Sequence, residues 1–220
     1  MHVAVQKLDQ IARNVFAPVY YLLAQQILDR TGIESGFCLD LGSGSGYLGL
    51  ALAWNSKLQV CLLNESSEMK KLAEQNIAQK MLEDRVTAAC GDLHYLPFED
   101  DSVDLVVSRG SVYFWNDLPQ VLREIWRVLA PGGQAFIGGG FGSREVRNEV
   151  IEKMRKIEPD WQPKCHNFDD TLFDAALAAA KIRGSLVLRN ENGIWIRFRK
   201  SANGFHSRLE NNFIPSRTHK

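Results

Sequence analysis

The chain has 220 residues, 45% of them hydrophobic, enough for one domain of ordinary size with a substantial buried core. Its 26 Lys and Arg are balanced by 26 Asp and Glu, so no global field directs it to nucleic acid or to an anionic membrane. The N-terminus lacks an apolar signal-type run and no segment is apolar for long enough to span a bilayer, so a soluble cytoplasmic protein is expected.

Residues 9–30 carry apolar positions at helical spacing (Ile11, Val15, Val19, Leu22, Leu23, Ile27), broken at Pro18 and closed by Gly32. This predicts an N-terminal helical cap over 1–35. Then follow a strand over 37–41, a helix over 47–55, a strand over 59–63, a helix over 67–81 and strands over 86–90 and 103–108. A helix over 118–128 and a strand over 134–138 complete the alternation, which implies a parallel sheet with helices on both faces. Segment 143–181 reads as mostly helical, interrupted at Pro159 and Pro163. Strands over 185–189 and 194–199, joined through Glu191-Asn192-Gly193, predict a hairpin. One domain over 36–200 is expected, with a flexible tail over 201–220; nothing in the sequence sets an oligomeric state.

Cys38, Cys61, Cys90 and Cys165 have no ligand spacing, and the first three fall in or beside predicted strands, so reduced core thiols are expected. Adjacent Cys165 and His166 have metal or thiol chemistry but no further ligands beside them, and no metal is expected.

The run CLDLGSGSGYLGLALA, residues 38–53, joins a strand end to a helix start through Gly42, Gly44 and Gly46. Such a turn lets backbone approach a ligand and aims helix N-terminal N–H groups at it. Gly44, Gly46 and Gly49 also fit the GxGxxG dinucleotide pattern, so the turn alone leaves a nicotinamide-dependent oxidoreductase open. With Asp40 before the turn, Gly91-Asp92 after the third strand, LPFEDDSVDLVVSRGS around the fourth and RVLAPGG before the fifth, the chain resembles the class I S-adenosylmethionine-dependent methyltransferases. More narrowly it is similar to the methyltransferase type 11 branch that includes ubiquinone and menaquinone C-methyltransferases. The resemblance covers 36–140 and extends through the hairpin to 200. It implies an α/β, Rossmann-like, doubly wound and mostly parallel sheet closed by an antiparallel C-terminal hairpin, with S-adenosylmethionine as cofactor.

On this resemblance Gly42, Ser43, Gly44 and Gly46 pass beneath the methionine portion, and Asp40 meets its ammonium. Asp92 accepts from the adenine amino group beside the backbone N–H of Leu93, while Ser108, Arg109 and Gly110 line the methionine and methyl end. Asn64 stands where a carboxylate usually grips the ribose hydroxyls, and Glu65 is the neighbouring alternative. His94 is expected in a surface or structural role.

Methyl transfer from a sulfonium needs alignment more than a catalytic dyad. If the acceptor must lose a proton, Tyr113, Tyr20 and Tyr21 are the candidates; a guanidinium stays protonated, so Arg109 would anchor substrate or cofactor. Phe16, Tyr20, Tyr21, Tyr113, Phe114, Trp115, Gly139 and Gly140 are expected to form an apolar, aromatic pocket for a small-molecule methyl acceptor. A sensor or a protein using the same cofactor for non-methylating chemistry keeps the same fold and is the alternative.

Overall fold

In the computed structural model residues 2–163 and 171–201 are described, with side chains from residue 5 onward. The strands are β1 (Ser35–Leu41), β2 (Lys57–Asn64), β3 (Val86–Cys90), β4 (Val103–Arg109), β5 (Leu129–Gly140), β6 (Leu186–Asn190) and β7 (Gly193–Arg199). They form one sheet in the order β3-β2-β1-β4-β5-β7-β6. The first five run parallel, and β7 is antiparallel to both β5 and β6. Strand order reverses between β1 and β4, and in open α/β sheets the crevice at the strand C-terminal ends there is where ligands bind.

Side chains alternate along each strand between two cores. Leu62, Leu105 and Val107 face α2 (Ala17–Thr31), α3 (Tyr47–Asn55), α4 (Ser67–Gln79) and α6 (Arg144–Ile157), whereas Leu63 and Val106 face α5 (Leu118–Val128) and α7 (Thr171–Ala179). Burial on both faces explains why β1, β2 and β4 read as nearly continuous apolar runs. Each fully buried Leu or Val in them contributes roughly 1.5–3 kcal/mol.

The cap departs from expectation in two ways. Pro18 starts α2 instead of breaking a helix, because in a first helical turn its missing N–H has no intrahelical partner to lose. The preceding helix, α1 (His2–Asn14), begins well before residue 9. Gly32, at φ 67°, ends α2 as expected, its N–H bonded to the Leu28 carbonyl at 2.8 Å.

β5 starts at Leu129 and not at residue 134, since Leu129 pairs with Val103 ahead of an irregularity that restores register at Leu105–Gln134. In the hairpin Gly193 is the first residue of β7, pairing with Asn190 on one side and Gly140 on the other. Cys38 and Cys61 are buried, but Cys90 is exposed, because it ends β3 at the sheet edge. Cys165, His166 and the tail from residue 202 lie outside the described residues. Among the described residues no helix is long and apolar enough to cross a membrane.

Candidate cofactor and acceptor site

β1 delivers Asp40 to its C-terminal end, and the chain then turns through Gly42–Gly46 into α3. The turn is pinned from beneath: Ser43 N–H donates to the Leu63 carbonyl at 3.2 Å and Gly46 N–H to the Ser43 carbonyl at 2.9 Å. Gly44 adopts φ +56° with no atom within 4 Å of where a Cβ would stand, so this residue faces open space in a conformation other residues resist. Asp40 is 2% exposed, and its Oδ2 accepts from Gly49 N–H at 2.9 Å. Burial raises its carboxyl to about 7, outweighing the hydrogen bond.

Asn64, 4% exposed at the end of β2, is turned into the glycine turn. Its Oδ1 accepts from Gly44 N–H at 2.9 Å, and its Nδ2 donates to Ser43 Oγ at 2.9 Å and to the Gly44 carbonyl at 3.2 Å. Both donors of the amide are therefore committed, and one Oδ1 lone pair is left for a ribose hydroxyl. Glu65 is exposed beside it.

After β3, Asp92 is exposed and Leu93 is buried, so Leu93 offers a ligand only its backbone. Asp92 Oδ1 accepts from the backbone N–H of His94 and faces His94 Nδ1, both at 2.8 Å, and these bonds hold its carboxyl below the usual carboxylate range. His94 Nε2 faces the Asn116 carbonyl at 2.8 Å, and that acceptor together with Asp92 raises the imidazole. The ligand atoms of Glu65, Asp92 and His94 lie within 4.8 Å of one another, but both ring nitrogens already meet oxygen acceptors, an arrangement for donating and not for coordinating.

At the end of β4, Ser108 is fully buried and hydrogen-bonds the Leu41 carbonyl and Ser111 Oγ, so it braces β4 against β1 beneath the site and does not line it. Ser111 lies against Gly42, where a Cβ would come within 2.5 Å of its Oγ. A cavity of about 270 Å³ opens above, bounded by Asp40, the glycine turn, Arg109–Ser111, Tyr20, Tyr47 and Phe114. A larger polar groove of about 530 Å³ lies between α1 and α4, away from the strand ends.

Several expected pocket residues do not line this cavity. Tyr21 is 52% exposed, because Tyr20 on the adjacent helical position takes the inward face. Tyr113 lies against Gly139, where a Cβ would come within 2.6 Å of its ring, and Trp115 packs against the α5-side core. Gly139 and Gly140 are buried in β5, paired with Ile194 and Gly193; the bare Cα of Gly139 makes room for the Tyr113 ring, and that of Gly140 for the backbone of Asn192 and Gly193. Phe16 stands behind Arg109, with its ring centre 4.6 Å from the guanidinium carbon. Tyr20 does line the cavity, but burial raises its phenol, and a less available phenolate makes it a poor base. Sequence reasoning missed Ser111, although it stands in the quoted SRGS run, and Leu8 and Ala12, which reach the cavity only because α1 docks there.

That docking is polar. Asp9 on α1 accepts from the Tyr47 hydroxyl at 3.0 Å, from Asn76 Nδ2 at 3.1 Å and from Arg13 at 3.1 Å. Asn76 also donates to the Ser45 carbonyl at 3.0 Å, so α1, α4 and the glycine turn share one network.

A family model for a methyltransferase domain matches residues 39–137. A crystal structure assigned to an S-adenosyl-L-methionine-dependent methyltransferase of Methanococcus maripaludis is 35% identical and superposes with a TM-score of 0.86, covering 97% of this chain and 95% of its own. The chain belongs to the class I S-adenosylmethionine-dependent methyltransferases. Among curated relatives, the demethylmenaquinone methyltransferase of Lactiplantibacillus plantarum is 39% identical over 98 residues, 44% of this chain and 41% of its own. The malonyl-[acyl-carrier protein] O-methyltransferase of Methylovorus sp. is 36% identical over 158 residues, 69% of this chain and 53% of its own. The chain spans about half the length of these curated relatives, and less of some others.

The site fits the family's cofactor. A buried carboxylate that no cation pairs among the described residues, an open αL glycine and, beside Gly42, a buried Trp115 Nε1–H with no acceptor among them all call for a partly charged, polar ligand. Gly49 is explained without a nicotinamide: a Cβ there would meet Leu62 at 2.3 Å and Asp40 at 3.1 Å.

Proposed function

We propose that this chain methylates a small acceptor of apolar or aromatic character by in-line transfer. The carrying observation is that one cavity joins Asp40 and the glycine turn to the aromatic wall of Tyr20 and Phe114. When bound, S-adenosylmethionine supplies a methyl carbon on a sulfonium; the acceptor's lone pair bonds to that carbon while the carbon–sulfur electron pair stays on sulfur. Asp40 holds the ammonium end, and Gly42, Ser43, Gly44 and Gly46 give the methionine portion a floor. Asp92 and Leu93 meet the adenine, Asn64 Oδ1 and Glu65 meet the ribose, and Gly110 leaves room at the methyl end. The walls set the angle of approach, which can supply several kcal/mol. The acceptor's proton, where one must leave, passes to solvent, since the chain's nearest phenol is raised. A small molecule is the partner, and the balanced charge favours no nucleic acid.

Calorimetry with S-adenosylhomocysteine and NAD tests the reading. Binding of the former alone is expected; NAD binding with no response to S-adenosylhomocysteine would overturn it. A crystal soaked with S-adenosylhomocysteine should leave free volume between its sulfur, Tyr20 and Phe114.

A further inference from the structure

The acceptor half of the cavity contains a cation that, among the described residues, no carboxylate pairs. Arg109 projects from the end of β4 into a cage of rings, its guanidinium carbon 4.6 Å from the centre of Phe16, 5.4 Å from Tyr20 and 5.9 Å from Phe141. Its Nε donates to the Gly140 carbonyl at 3.3 Å, and the Tyr20 hydroxyl is within hydrogen-bonding reach. Among the described residues no carboxylate pairs with it, in contrast to Arg127, Arg144 and Arg189, each of which has an acidic partner. Of the described residues lining the cavity, Arg109 is the only cation and Asp40 the only acid.

Position assigns this cation to the acceptor. Apart from Gly110 at the methyl end, the groups that meet the cofactor in that reading lie at the ends of β1, β2 and β3, whereas the Arg109 guanidinium is held beside Phe16, Tyr20 and Phe141 and on the Gly140 carbonyl at the end of β5. Neighbouring strands are about 4.8 Å apart, so the guanidinium is displaced away from the ribose and adenine side. A guanidinium presents its terminal N–H groups as a planar fork that matches a carboxylate. A single fork, with no second Arg or Lys among the described lining residues, leaves a phosphate dianion only half neutralised. The mouth is apolar, with Leu8 54% and Phe114 63% exposed.

We propose that the methyl acceptor is a small carboxylic acid, its carboxylate seated on Arg109 and its apolar body lying toward Phe114 and Leu8. This rests on the methyl-transfer reading above. The test uses the full chain saturated with S-adenosylhomocysteine and three probes: phenylacetate, its neutral amide phenylacetamide, and phenyl phosphate. Calorimetry should find phenylacetate tighter than phenylacetamide by about tenfold or more, and Arg109→Met should abolish that difference. Arg109→Lys, a point charge in place of a fork, should retain part of it. Equal binding of acid and amide to the wild type, or no binding of either, overturns the proposal without any variant having to fold. Tighter binding of phenyl phosphate overturns the carboxylate assignment, and a large loss of S-adenosylhomocysteine affinity in Arg109→Met places the guanidinium on the cofactor instead. Failure of the wild type to bind S-adenosylhomocysteine at all would refute the underlying reading, which separates the two failures.

Discussion

Asn64 illustrates how a residue's position can be legible while its partner is not. The end of the second strand is readable from composition, and so is the substitution of an amide for a carboxylate there. The direction of that amide depends on where Ser43 and Gly44 come to rest, which no local pattern encodes. The structure makes Asn64→Asp a test of bracing. A carboxylate still accepts from Gly44 N–H but cannot donate to the Gly44 carbonyl, and it would face that oxygen at close range. Stability should fall by about 1–3 kcal/mol, the usual cost of leaving a buried polar group unsatisfied. S-adenosylhomocysteine affinity should fall with it, because the turn loosens. Glu65→Gln, at an exposed position, should leave stability unchanged and weaken S-adenosylhomocysteine binding alone. Thermal melts and calorimetry on both variants read the two effects separately; tighter binding by Asn64→Asp would mean that the amide swings to the ribose when ligand arrives.

The strands and helices of the sheet were readable because burial on both faces leaves long apolar runs, and α3 and α5 were bounded as the apolar period suggests. α1 was read only from residue 9, and part of its docking is made by Asp9 and Arg13, polar contacts that no apolar period announces, beside the packing of Ile11. The pocket-lining aromatics were over-assigned for a related reason: a run such as Tyr113-Phe114-Trp115 cannot turn all three rings to one side, and only Phe114 reaches the cavity. Asp9→Ala should release α1 from the glycine turn, leaving Asn76 Nδ2 short of one acceptor and the Tyr47 hydroxyl short of another. Amide hydrogen exchange is expected to quicken across residues 5–14 while α2 keeps its protection, and cofactor affinity should drop because Leu8 and Ala12 no longer close the cavity. Uniform loss of protection throughout the chain would show instead that Asp9 supports the whole fold.

At the scale of the molecule, the site and the fold share Asp40. Its folded carboxyl is raised to about 7 from an ordinary 3.8, so the stability linked to its protonation is fully present below about 3.8 and is lost as pH rises through about 7. A ligand ammonium reverses this, since an adjacent cation favours the ionised form. Binding of S-adenosylhomocysteine should therefore release a proton near pH 6.5, visible as a dependence of the calorimetric heat on buffer ionisation. Below pH 7 affinity should decline, approaching about tenfold per pH unit. Saturation at a free concentration of 100 times Kd stabilises a native state by about 2.7 kcal/mol, a Tm rise of about 5–11 °C for a chain of this size. At equal ligand concentration that rise should be smaller at pH 5.5 than at pH 8. Asp40→Asn isolates the cause: without ligand its Tm should gain on the wild type as pH increases from 5.5 to 8, while its ligand-induced rise should be small and independent of pH. A wild-type ligand shift that stays constant from pH 5.5 to 8 would mean that Asp40 keeps its charge state on binding, and that the ammonium is held by another group.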